Sequence, residues 1–237
     1  MLAIYKREMR SYFTSPIGYI FLAIFLAVAG AIFSLTTLTQ GAASDITQYF
    51  SYMLISFFVV LPLLTMKLFA DEKKQRTETL LISSPISITS MVAAKFFAAF
   101  STFLIGFAIS LFNLIPFFYF ASGTPDVKTI FGSLLALVLI AAAFIAVGVM
   151  VSALTENQLV AALGTMVIIL VFVMVSAFNS SIESYALRTV LSWISVLDRF
   201  SLLAVGRFDV SAIVYFLSIT FAFLFVTVRI YEKRRWS

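Results

Sequence analysis

Apolar residues run in six long stretches along the chain, at about 17–39, 47–69, 91–120, 129–153, 159–178 and 211–230, and polar or charged residues fall between them. About 20 residues at 1.5 Å each cover a hydrocarbon core of ~30 Å, so every stretch predicts a membrane-crossing helix. The third is longer than a crossing requires and is expected to tilt or project, with a local break near Asn113 and Pro116. Residues 1–15 follow another rhythm. Leu2, Tyr5, Met9, Tyr12 and Phe13 fall on one arc of a helix, and Lys6, Arg7, Arg10 and Thr14 on another. This predicts an N-terminal amphipathic interfacial helix, with Lys6, Arg7 and Arg10 toward anionic headgroups and the aromatics, Tyr12 among them, at headgroup level. An ordinary positive flank before the first span is the alternative. Because this start is charged and amphipathic, it is expected to stay on the chain rather than to be removed as a signal peptide.

Ser15-Pro16-Ile17-Gly18 breaks the interfacial helix before the first span. Residues 179–210 are too polar to cross throughout, yet Leu187, Val190, Leu191 and Ile194 recur at helical spacing, and the short apolar run Phe200 to Gly206 follows. One or two partly embedded helices are expected there, in an outer segment before the last span. Small residues at Ala141 to Ala143, Ala146 and Gly148, and at Ala161, Ala162 and Gly164, would let helices approach closely. The fold class is therefore an all-α membrane protein, one domain over residues 1–237.

Charge gives this bundle an orientation. Lys6, Arg7, Arg10, Lys67, Lys73, Lys74, Arg76, Lys95, Arg229, Lys233, Arg234 and Arg235 share one side, against Lys128, Arg188, Arg199 and Arg207 on the other. Positively charged flanks stay in the cytoplasm, so both termini and residues 70–90 are expected inside and residues 179–210 outside. The same clustering makes the lipid bilayer, not nucleic acid, the partner of the net charge of +5. Composition agrees, with 62% hydrophobic and 11% charged residues.

The chain has no Cys and no His, which excludes thiolate and imidazole catalysis, disulfides and Cys/His zinc sites. No charged residue falls at the middle of a predicted span, which argues against an ion-coupled carrier. No GxxxxGK[ST] loop occurs, so the chain binds no ATP of its own by that route. Energy for active transport would come from another polypeptide.

The densest charge lies in FADEKKQRTETLLISSPISITSMVAAK, Phe69 to Lys95, where six of the eight residues Asp71 to Glu78 are ionisable. Each would cost roughly 2.5–3.5 kcal/mol at a bilayer centre, so the segment lies in water. A helix starting near Asp71 would set Thr77, Leu80 and Leu81 on one side and charges on the other, with Pro85 ending it or opening the next. It reads either as a short amphipathic docking element or as a solvated loop that fixes topology.

This segment resembles the loop between the second and third spans of type-2 ABC-transporter permeases. Glu72, Thr77, Leu80, Leu81, Pro85, Ser87 and Lys95 match it, while Arg76 stands where Gly is usual and Thr79 where a second Glu is often found, with Glu78 one position away. The amphipathic start Tyr5 to Pro16, the six spans, the long third helix and the basic end Arg234-Arg235-Trp236 extend the resemblance. Short permeases of this build include those of gliding motility and of nitrous-oxide-reductase maturation. The resemblance implies the membrane subunit of an ABC exporter in the cell membrane, paired with a second permease chain as homo- or heterodimer. It implies that ATP and Mg sit on partner ABC ATPase subunits, and that no cofactor is bound by this chain. It also implies a coupling helix whose contact with the ATPase is made by Glu72, Thr77, Glu78, Leu80, Leu81 and Pro85. A membrane scaffold or assembly factor built from the same helices is the competing reading.

Overall fold

The computed structural model describes residues 1–38, 46–77, 87–120, 126–179, 195–206 and 209–235. Among them, six helical stretches are long and apolar enough to cross a membrane: Pro16–Thr37, Thr47–Lys74, Ile88–Tyr119, Val127–Leu154, Gln158–Ser176 and Val210–Arg235. The elements are α1 (Leu2–Thr14), α2 (Pro16–Phe33) with a wide π turn Ser34–Leu38, α3 (Thr47–Thr65) and α4 (Lys67–Lys74). They continue with α5 (Ile88–Ser110), a 3-10 turn Leu111–Asn113, α6 (Leu114–Phe120), α7 (Val127–Leu154), α8 (Gln158–Asn179), α9 (Val196–Ala204) and α10 (Val210–Arg235). Glu78, Leu80, Leu81 and Pro85 lie outside the described residues, as do Leu187, Val190, Leu191 and Ile194.

The boundaries follow local chemistry. Ser15 is extended, at φ −97 and ψ 153, because Pro16 disfavours a helical residue before it and then supplies the first position of α2. Gly18 lets the start of α2 press on the end of α1, since a Cβ there would stand 2.3 Å from the Tyr12 carbonyl oxygen. Ser87 caps α5 by accepting from the Ser90 amide. Asp126 caps α7, accepting from the Lys128 amide and the Thr129 hydroxyl. Those two bonds, the Thr129 one foremost, hold the exposed Asp126 carboxyl below the usual carboxylate range.

Span four, α7, is the centre: 72% of its apolar window is buried, against 61% for span two and 22–28% for spans one, five and six. Sequence explains this. Ala136, Ala141, Ala142, Ala143, Ala146, Gly148, Ser152 and Ala153 keep α7 thin enough for α3, α8, α9 and α10 to pack on it. A Cβ at Gly148 would meet Thr65 Oγ1 at 2.1 Å, and one at Gly132 would meet the Leu203 carbonyl oxygen of α9 at 2.2 Å. Spans one to three are joined by rings instead: Phe25, Phe57 and Phe103 pack mutually at centroid distances of 5.4–6.4 Å. The phenylalanine row of span three, Phe96, Phe100, Phe103 and Phe107, stacks along its own helix, and Phe97 alone of the five phenylalanines from Phe96 to Phe107 is well exposed. Before the last span, α9 buries Val196, Phe200, Leu203 and Ala204 and turns off at Gly206, whose φ of +74 suits glycine.

The close contacts give a stability test. Gly148→Ala should lower stability by about 1–3 kcal/mol through overpacking on Thr65. Gly30→Ala, which meets nothing within 4 Å, should be neutral or raise it by up to about 1 kcal/mol through helix propensity. Thermal unfolding in mild detergent reads both, and equal effects would refute the packing of span four on span two.

Candidate functional site

The candidate site lies at the end of span two that runs into the charged segment, where the helix is interrupted at one residue, Met66. α3 stops at Thr65 and the helix restarts as α4 at Lys67, on an axis that carries the charged segment. Pro62 weakens the ladder upstream of the stop. The expectation of a helix starting near Asp71 is thereby corrected. Asp71 and Glu72 lie in the second half of an arm that continues span two, and that helix ends at Lys74. The arm is stable because Lys67 and Asp71 pair at i,i+4, 3.6 Å apart, and Lys73 and Lys74 sit where the helix dipole is negative.

The arm's end is a defined motif. Arg76 N–H donates to the Lys73 carbonyl and Thr77 N–H to the Glu72 carbonyl, a Schellman closure with Arg76 at φ +57. A left-handed backbone here accounts for the glycine usual at this position in the pattern the loop resembles. Thr77 adds its hydroxyl to the Glu72 carbonyl at 3.3 Å. Thus the chain leaving toward residue 78 is tied to Glu72 by its backbone.

Glu72 is in turn tied by its side chain. Its Oε1 lies 2.8 Å from Arg7 Nη2 and 2.9 Å from Lys95 Nζ. Glu8 Oε1 lies 2.6 Å from the same Arg7 nitrogen and 3.2 Å from Lys95 Nζ. Lys95 Nζ also donates to the Leu68 carbonyl at 2.6 Å and stands 4.8 Å from the centre of the Phe69 ring. This ammonium, only 1% exposed, therefore donates to two oxygens, of Leu68 and Glu8, and is paired with a third, of Glu72. Two cations and two carboxylates balance. Burial works against the Arg7 charge, but Glu8 and then Glu72 outweigh it, and the guanidinium pKa is raised.

The cluster joins three elements: α1 through Arg7 and Glu8, the arm through Glu72 and Leu68, and span three through Lys95. Other bonds tie the arm to the rest of the bundle. Asp71 accepts from Gln158 at the start of span five, and Phe69 packs on Tyr231 of span six at 4.8 Å. Ser152 of span four accepts from the Phe69 and Ala70 amides at 3.0 and 3.1 Å.

Among the expected site residues, Arg7, Tyr12, Glu72 and Thr77 line one polar cleft of about 370 Å³ with Glu8 and Lys95. Lys6 and Arg10 lie on the exposed face of α1. Tyr12, expected at headgroup level, is 5% exposed and donates from its hydroxyl to the Leu64 carbonyl at 3.0 Å. The reason is periodicity. Ile4, Glu8 and Tyr12 recur every four residues on one face of α1, which packs on spans three and one and from which Tyr12 reaches Leu64 of span two. Burial, aided by the Glu8 charge, pushes the Tyr12 phenol far up.

Glu8, Ser152 and Gln158 took no part in the sequence reading. Glu8 had a visible signal, as the lone acid in the basic start of the chain, matched by Lys95 standing alone inside an apolar run. Ser152 had none beyond its place among small residues. No group of three or more metal-ligating side chains occurs among the described residues.

Removing Lys95 should expose the design. Lys95→Met leaves Glu8 and Glu72 sharing Arg7 alone and should cost about 3 kcal/mol, whereas Arg7→Ala, at a half-exposed group, should cost under about 1 kcal/mol. Adding Glu8→Gln and Glu72→Gln to Lys95→Met should restore part of the loss in thermal unfolding. A harmless Lys95→Met would show the cluster to be solvated.

The model of the ABC-2 type transporter family matches residues 1–206, everything from α1 through α9. No curated protein matches the chain.

Proposed function

Since the chain belongs to the ABC-2 type transporter family, and is thus the transmembrane component of an ABC transporter, we propose that it is the membrane half of an exporter whose ATPase pushes on the segment carried by the α4 arm. Members of this family work with ABC ATPase subunits and are transport subunits, not catalysts themselves. ATP and Mg belong to the ATPase. Two such chains, identical or related, pair over two ATPase subunits in the cell membrane.

The observation that carries this reading is the arm's bonding. It leads directly into residues 78–86 and is joined to α1 and to spans three, four, five and six. A push on that segment therefore reaches most of the bundle at once. Thr77, Glu78, Leu80, Leu81 and Pro85 make the contact, because leucines beside a charged run gain roughly 1.5–3 kcal/mol each only when a partner covers them. Glu72 serves the contact from behind, anchoring Thr77 by its carbonyl and the arm by its carboxylate. Coupling requires that the contact differ between ATPase states, so that closure of the ATPase pair selects one position of the arm.

Leu81→Asp should weaken association with the ATPase at least tenfold, as judged by co-purification at graded concentrations, with membrane insertion intact. Glu72→Gln should leave association near the parent's and reduce the dependence of ATP hydrolysis on the permease. Lys74→Ala, an exposed control, should do neither. Normal binding and hydrolysis in both loop variants would reduce the segment to a topological tether, as a scaffold protein requires.

The orientation has its own test in a chain free of cysteine. Single cysteines at Ser84, Ser122 and Ser181 should react with an impermeant maleimide from the inside, the outside and the outside of right-side-out vesicles. Any other pattern overturns the topology.

A further inference from the structure

The break in span two is held open by two hydroxyls from outside that span. In an uninterrupted helix the Leu68 amide would bond to the Leu64 carbonyl and the Phe69 amide to the Thr65 carbonyl, whereas Ala70 already closes the first turn of α4 on the Met66 carbonyl. Instead Ser152 Oγ, from span four, accepts from Phe69 at 3.0 Å and Ala70 at 3.1 Å and donates its own proton to the Met66 carbonyl at 3.1 Å. The Leu64 carbonyl takes the Tyr12 hydroxyl at 3.0 Å. Both side chains are buried, at 0% and 5% exposure, so water replaces neither easily. Insertion of a side chain into the ladder is one of the few physical causes of a sharp helix bend, and near the membrane every freed backbone group needs such a partner. Gly148, one turn before Ser152, brings span four against Thr65 closely enough for the hydroxyl to reach.

We propose that Ser152, with Tyr12, is a positioning residue for coupling: the two hydroxyls keep span two severed at Met66, so that the Lys67–Lys74 arm turns about that point as a unit. This rests on the exporter reading above. A hydroxyl suits a bearing because it exchanges donor and acceptor roles and swivels about its Cβ–Oγ bond, holding both amides through a range of arm angles. Without it the Phe69 amide has only the Thr65 carbonyl to bond, and the helix closes into one rigid rod from Thr47 toward Lys74. The arm then cannot turn without turning all of span two.

The test uses the permease–ATPase complex in lipid nanodiscs, with spin labels at Lys74→Cys and Asn157→Cys and labelled chains diluted by unlabelled ones, so that each complex carries one labelled chain. Pulsed dipolar spectroscopy compares the nucleotide-free complex with one trapped by Mg-ATP and vanadate. The parent should show an ATP-dependent change in the distance distribution. In Ser152→Ala that change should fall to less than half, with the resting distance displaced, while the ATPase still co-purifies and hydrolyses ATP. Tyr12→Phe, which frees only the Leu64 carbonyl, should reduce the change in the same direction, and it carries the test if Ser152→Ala does not insert. A full parental change in these variants overturns the bearing and leaves the coupling reading intact. A parent with no ATP-dependent change overturns the coupling reading, and the bearing with it.

Discussion

A lysine about two turns inside an apolar helix has to find oxygens for its ammonium or lose its charge, and much of this end of the bundle is arranged to supply them. Lys95 takes one oxygen from the Leu68 backbone, one from Glu72 and one from Glu8. Each choice fixes an element. Leu68 and Glu72 place the arm against span three, and Glu8 draws α1 down beside both. Arg7 then neutralises the second carboxylate. Because removing Lys95, Glu8 or Glu72 leaves an uncompensated ion in a poorly solvated place, those three act as one fastening, to which the half-exposed Arg7 adds a surface pair.

That fastening matters because the arm is otherwise cut off from its own span. The ladder of span two is interrupted at Met66, and the interruption is bridged by hydroxyls from span four and α1. A helix broken at one point and clamped beyond it behaves as a lever. Its short end carries residues 78–86, its pivot lies against the most buried span of the bundle, and its clamp moves α1 and the start of span three with it. Small residues make the pivot possible: Gly148 and Ser152 face Thr65 and Met66 where any larger side chain would hold the two spans apart.

The membrane crossings were legible in the sequence because twenty apolar residues in a row have few other uses, and the family resemblance was legible in Glu72, Thr77 and Lys95. The arm was not. Asp71 and Glu72 look like the start of a solvated helix when charge density is the guide, but the hydrogen-bond ladder resumes at Lys67 and overrides it. The partner of Tyr12 was hidden for a related reason. An amphipathic helix has the same pattern whether its apolar face meets lipid or two neighbouring helices, and only the acid at Glu8, opposite a buried lysine, distinguishes them. Ser152 could not be found by pattern, since a serine among alanines reads as packing until the amides it serves are known.

The central claim is that the arm, α1 and the start of span three move as one body about Met66 when ATP closes the ATPase pair. Electron cryomicroscopy of the complex with and without trapped ATP tests it most directly. The account predicts a changed angle between Thr47–Thr65 and Lys67–Lys74, with Lys95 still within hydrogen-bond distance of the Leu68 carbonyl and Glu72 in both states. An unchanged angle, or a cluster that comes apart while span two stays rigid, would contradict it.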